Sequence, residues 1–106
     1  MSPVPPSLTH EQRVAASKAA VANRRRRAEV KRRIKSGELS LEELFALADQ
    51  EVCVAQMRAF DLISALPAIG EVKAARIMEQ GSIAQSRRIR GLGPKQREAL
   101  FHALVR

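Results

Sequence analysis

The 106-residue sequence has no tryptophan and no tyrosine, and its aromatic residues are Phe45, Phe60 and Phe101. So few rings argue against a sandwich or barrel packed around aromatics. They also argue against recognition of single strands by base stacking, which needs exposed rings. The single cysteine, Cys53, permits neither an internal disulfide nor a cysteine-based zinc site. Set among apolar neighbours, it reads as a small core or interface residue. No apolar run approaches the roughly 18 residues of a membrane span. Met1 to Pro6 lacks the basic start and apolar stretch of a secretory signal, so the chain reads as intracellular. The two histidines, His10 and His102, have no obvious carboxylate constellation and read as a capping and a surface residue. No catalytic residue, metal, cofactor, small-molecule substrate or membrane partner is expected.

What the chain has in excess is positive charge. Nineteen Lys and Arg stand against eleven Asp and Glu, for a net charge of +8 and a pI near 11.1. The charge comes in blocks. Residues 13–35 carry +9, residues 36–61 carry −5, and residues 62–106 carry +5. Two basic segments flanking an acidic one offer a polyanion two landing surfaces with a repelling stretch between them.

The proline-rich start, with residues 1–9, reads as a flexible tail. Thr9 to Gln12 spells a capping box, and from Glu11 to Lys35 there is neither Gly nor Pro, while Ala, Arg and Lys dominate. This predicts one helix over residues 10–36, stopped by Gly37. Its larger apolar residues are Val14, Val21, Val30 and Ile34, a thin stripe for a long helix. The helix is therefore expected to project from the core and lie along phosphates. The adjacent Arg24, Arg25, Arg26 and Arg27 repel one another and should fray in free protein and tighten on a polyanion, raising helix content.

Residues 38–106 form the second unit. Ser40 to Glu43 is another capping box with a Leu39–Leu44 staple. Leu41, Leu44, Phe45 and Ala48 mark one face, and a helical pattern continues from Val52 to Leu66, stopped by Pro67. Leu47, Val52, Val54 and Met57 read as core, which leaves little for a protein-interaction module built on the acidic helices. A helix over Glu71–Gln80 with Val72, Ala75 and Met78 inward ends at Gly81, and a short helical turn starts at Ser82 or Ile83. A last helix over Pro94–Val105 buries Leu100, Phe101 and Leu104. The fold class is all-α: a long basic N-terminal helix plus a compact bundle.

Two turns carry the chemistry. Leu66-Pro67-Ala68-Ile69-Gly70-Glu71-Val72-Lys73 joins two helices in the layout of a helix–hairpin–helix. The strict form of that motif has Gly where this chain has Ala68. Free N–H groups at Gly70 to Val72, with the positive end of the helix dipole, suit one phosphate, and Lys73 adds charge. In Ser86-Arg87-Arg88-Ile89-Arg90-Gly91-Leu92-Gly93-Pro94-Lys95, three arginines precede a glycine turn that opens the last helix. Arginine forks suit phosphate oxygens and narrow minor grooves. A dinucleotide site is excluded, since the strand, third Gly and ribose-binding acid are missing.

Leu66 to Ala74, Ile77-Met78-Glu79 and Ser86 to Gly93 together resemble the integration host factors of actinobacteria, as does Arg26-Arg27-Ala28-Glu29-Val30-Lys31 in the basic helix. The resemblance runs from about Leu8 to the end, departing at Gly81-Ser82 and Asp49-Gln50-Glu51. It implies an all-α fold with a helix–two-turns–helix module. It also implies a nucleoid-associated architectural protein of the cytoplasm that binds double-stranded DNA with little sequence preference, in compaction and phage integration. By matching position, the main DNA surface would comprise Pro67, Ile69, Gly70, Val72, Lys73, Arg87, Arg88, Arg90, Gly91, Gly93 and Lys95. The second would comprise Arg24, Arg25, Arg26, Arg27, Lys31 and Arg32, on one DNA segment or two. A monomer is expected. The alternative is an RNA-binding structural protein of the ribosomal helix–two-turns–helix type.

Overall fold

The structure, a computed structural model, describes residues 9–104. Residues 1–8 of the expected tail, and the Val105 end of the expected last helix, lie outside the described residues. Helix α1 (His10–Lys35) starts on the capping box: the Gln12 N–H donates to the Thr9 hydroxyl at 3.1 Å, and the Gln12 side chain accepts from the Thr9 N–H at 2.9 Å. The helix ends at Ser36, with Gly37 left-handed at φ +82°. It runs unbroken through Arg24 to Arg27, and Arg26 finds acidic partners, so the expected fraying is not part of this structure.

Only the last turns of α1 are anchored. Val30 and Ile34 are fully buried, whereas residues 9–20 are exposed throughout. The helix therefore projects, as its thin apolar stripe predicts. The radius of gyration is 17.0 Å and the longest dimension 58 Å, against about 13 Å for a compact chain of this length.

The bundle begins with α2 (Leu41–Gln50), capped by Ser40 and Glu43 in a reciprocal box at 3.1 Å each way. The hydrogen bond from the Ser40 N–H holds the Glu43 carboxyl below its usual range. Leu39, Leu44, Phe45 and Ala48 are buried as their spacing predicts. The expected helix over Val52–Leu66 is instead two: α3 (Val52–Ala55) and α4 (Ala59–Ala65). At the break the chain pairs with a distant segment. The Ala59 N–H donates to the Arg87 carbonyl and the Ile89 N–H to the Met57 carbonyl, each at 3.0 Å, making an isolated antiparallel bridge between Arg58 and Arg88. Neither Gly nor Pro marks the break; tertiary pairing overrides helix propensity there.

Helix α5 (Gly70–Gln80) buries Ala74, Ile77 and Met78, an i, i+3, i+4 face, while Val72 is 78% exposed. The expected face through Val72 and Ala75 is thus rotated. Gly81 does end α5, but the left-handed residue is Ser82 at φ +56°, and Ile83 N–H closes the end onto the Met78 carbonyl at 2.8 Å. No helical turn forms at Ser82 or Ile83; a 3-10 turn forms at Ile89–Gly91. Helix α6 (Pro94–Leu104) buries Leu100, with Phe101 and Leu104 half-buried. Phe101 meets Phe45 edge-on at 5.4 Å, and Arg97 lies over Phe45 at 4.9 Å and reaches Asp49 at 3.3 Å, tying α6 to α2. Val52 is exposed, not core, and Cys53 is half-buried with its thiol 3.9 Å from the Asn23 carbonyl.

Candidate nucleic-acid interface

Leu66 to Gly70 makes the tight connection between α4 and α5. Ile69 N–H closes it on the Leu66 carbonyl at 3.1 Å. Two residues here are left-handed, Ala68 at φ +66° and Gly70 at φ +71°. Gly70 adopts this region freely; Ala68 does so at a cost of about 1–2 kcal/mol. So Ala68 takes the backbone shape that the strict motif gives to glycine. No side chain caps α5, and the Gly70, Glu71 and Val72 N–H groups stand uncapped at its first turn. They are the positive end of an eleven-residue helix.

The basic helix comes to this turn. Lys31 and Lys35 line one cleft of about 450 Å³ with Pro67, Ala68, Gly70 and Glu71. Ile69, Val72 and Lys73 lie along a different cleft with Arg76.

The second glycine turn departs from expectation. The Gly91 N–H donates to the Arg88 carbonyl at 2.9 Å, and the Leu92 N–H to the Ile89 carbonyl at 3.1 Å. The Gly93 N–H donates to Gln96 Oε1 at 3.2 Å, and Pro94 has no N–H. The Gly91 and Gly93 N–H groups are therefore already bonded in this arrangement rather than open to a phosphate. Among the described residues this leaves the Lys95 and Gln96 N–H groups unbonded at the start of α6. Gly91 serves another purpose. A Cβ there would stand 2.9 Å from Arg87 Cδ, so its bare backbone lets the Arg87 side chain lie across it.

Arg87, Arg88 and Arg90 are all exposed. Arg88 is held in place: its Nη1 donates to the Gln56 carbonyl at 2.6 Å. Arg88 also lines a cleft of about 470 Å³ with Arg27 and Lys31 from α1, Gln56, Met57 and Arg58 from the α3–α4 break, and Asp61. Arg58 is the residue that the sequence missed. It is the lone base in the acidic block, and block counting buries its signal. Its pairing partner thirty residues on supplies the context.

Along α1 the basic residues separate by face. At 100° per residue, Arg24, Arg27, Lys31 and Lys35 share a stripe beside the buried Val30 and Ile34. Arg25 and Arg32 fall on the solvent side, and Arg32 lies 3.7 Å from Glu38. Arg26 is a different case. Its Nε and Nη2 donate to Glu51 at 2.8 and 2.7 Å, and its Nη1 lies 3.3 Å from Glu29. The bonds to Glu51 raise the Arg26 pKa further, and the guanidinium in turn holds the Glu51 carboxyl below its usual range. Arg26 is thus removed from the candidate DNA contacts: a two-toothed carboxylate partner already occupies its fork. Among the described residues, no group of three or more His, Cys, Asp or Glu could hold a metal ion, and no helix is long and apolar enough to cross a membrane.

The chain is similar to several known proteins. A family model described as the S13-like H2TH domain matches residues 34–104. Integration host factor of Mycolicibacterium smegmatis is 46% identical over 96 residues, spanning 91% of each chain. That of Mycobacterium tuberculosis matches to the same extent. Integration host factor of Streptomyces coelicolor is 45% identical over 91 residues, 86% of this chain and 85% of that one. A solved structure of sIHF bound to an 8-base-pair palindromic DNA superposes with a TM-score of 0.76 at 40% identity, covering 80% of this chain and 96% of that chain.

Proposed function

The chain belongs to the S13-like H2TH family and, within it, to the integration host factors of mycobacteria and streptomycetes, and from that premise we propose how it acts as a DNA-binding architectural protein. The observation that carries the reading is the uncapped N-terminus of α5 at Gly70, with Lys31 and Lys35 brought beside it from α1. Neutral donors and the Lys31 and Lys35 ammonium groups there, two cations against the one carboxylate of Glu71, match a phosphodiester rather than a base edge. One strand of a duplex rests a phosphate on Gly70 to Val72. Lys73 and the Lys95 end of α6 add further phosphate contacts. Arg87 and Arg90 reach toward the groove, where its width sets any preference, while Arg88, held by the Gln56 carbonyl, stays on the backbone side.

The stripe Arg24, Arg27, Lys31 and Lys35 follows the same duplex. Arg25 and Arg32, on the solvent side of α1, meet a second DNA segment in this reading, with Arg32 giving up its exposed 3.7 Å pair with Glu38. Binding at both faces bends or bridges DNA. The protein acts as a monomer in the cytoplasm, associated with the nucleoid, and performs no catalytic step.

The ribosomal-type RNA reading is not favoured, because the curated relatives are integration host factors and the solved relative holds DNA. The test is a salt titration of affinity for one 30-base-pair duplex as DNA, as scrambled DNA and as RNA. With about five phosphates neutralised, the log–log slope is about −4.5. Equal affinity for both DNAs, weaker affinity for RNA and this slope are expected. A preference for RNA would overturn the DNA assignment.

A further inference from the structure

The cleft between α1 and the α3–α4 break holds an unusual concentration of one charge. Arg27 and Lys31 line it from the helix, and Arg58 and Arg88 from the bundle, with Asp61 as the one carboxylate. Among the described residues none of these four cations forms a salt bridge. The fold takes trouble to bring them together. The backbone bridge sets Arg58 beside Arg88, the Gln56 carbonyl fixes the Arg88 guanidinium, and the Arg26–Glu51 pair one residue before Arg27 holds α1 down against the cleft. Four cations converging on a concave site raise its positive potential, and only an anion offsets their mutual repulsion.

We infer that this cleft is a phosphate pocket in its own right, with Arg58 as a DNA-contacting residue. It seats one phosphodiester between α1 and the bundle. The inference rests on the DNA-binding reading above and extends it to a specific group. Lys31 lines both this cleft and the one at Gly70, so the strand that passes the N-terminus of α5 leads into it. Two arginine forks from the bundle and two cations from α1 then close on the same phosphate, and DNA clasps the projecting helix to the bundle.

Met57 lines the pocket, whereas Met78 is fully buried in α5. Their ¹³C-methyl resonances in the full-length protein report on the pocket and on the core separately. Titration with a duplex is expected to shift Met57 and leave Met78 in place. Arg58→Ala removes one ionic contact. At 0.1 M salt this weakens binding about eightfold and makes the salt slope about 0.9 shallower, equally for unrelated sequences. Asp61→Asn, which removes the one repelling charge, tightens binding. Arg58→Gln keeps the length of the side chain without its charge and serves if the alanine variant melts early.

If the wild type binds DNA while Arg58→Ala and Arg58→Gln leave affinity and slope unchanged, the pocket is refuted and the DNA reading stands. If the wild type fails to bind DNA, the DNA reading itself falls. A third arm uses inorganic phosphate. If millimolar phosphate shifts Met57 to the same end point and displaces DNA, the occupant is free phosphate and the phosphodiester assignment is overturned.

Discussion

Arg26 looks in the sequence like any other member of a four-arginine run, and the structure gives it a different task. Replace it with alanine, and separately change Glu51 to Gln. Each change breaks the two-toothed pair at 2.8 and 2.7 Å that holds α1 to the end of α2. The side chains are 28% and 33% exposed, so solvent screens the pair, and its loss costs about 1 kcal/mol. Burial of Val30 and Ile34 contributes roughly 1.5–3 kcal/mol each, so α1 stays docked but opens more often. Amide exchange over the anchored part of α1, from about Arg26 to Lys35, should quicken about fivefold, which is 1 kcal/mol expressed as a population. The Ile77 and Met78 amides in the core should keep their protection.

The double variant should show a coupling of about 1 kcal/mol. The pH dependence has a definite sign. The Glu51 pKa is depressed in the folded state, so the pair's contribution is full above the ordinary carboxylate pKa. It is lost as pH falls through the lower folded value. Glu51→Gln should remove that dependence from α1 exchange. Zero coupling, together with an Arg26→Ala salt slope reduced as much as that of Arg27→Ala, would refute the reasoning, since Arg26 would then be a DNA contact after all.

Three further outcomes follow from the turns. Replacing Arg87, Arg88 and Arg90 together by alanine should weaken binding to every duplex alike and flatten the salt slope, which anisotropy titration measures; intact affinity would remove this segment from the interface. Gly70→Ala has open space for its Cβ but a backbone at φ +71°; strain of about 1–2 kcal/mol, offset by about 0.4–1 kcal/mol from the stiffer unfolded chain, should cost about 0.5–1 kcal/mol net in denaturant unfolding. Ala68→Gly relieves similar strain at φ +66° and gives back about 0.4–1 kcal/mol through the unfolded chain. It should therefore gain about 0.5 kcal/mol and raise the melting temperature by a few degrees.

The parts of the fold written in local residues were legible. Thr9 with Gln12 and Ser40 with Glu43 spell the two helix starts, and both boxes form as read. The projecting helix was visible in a stripe made mostly of alanine. The break at Gln56 to Arg58 was not legible, because it depends on hydrogen bonds to residues thirty positions away and on no residue type at the break itself. The same distance hid two features of the site. Arg58 gains its meaning from Arg88, and Arg26 loses its availability to Glu51, a partner 25 residues on. The Gly91 turn misled for a local reason. A 3-10 turn and the Gln96 side chain consume the N–H groups that a Gly-Leu-Gly run advertises.

Helix α1 has one consequence that concerns packing on a long polymer. Its 26 residues make a rod of about 39 Å, close to one full turn of B-form DNA, or about 11 base pairs. Laid along the duplex, the rod is a ruler. The molecule built on this rod is 58 Å long, about 17 base pairs at 3.4 Å each, so a second copy on the same face would have to start more than one helical turn further along.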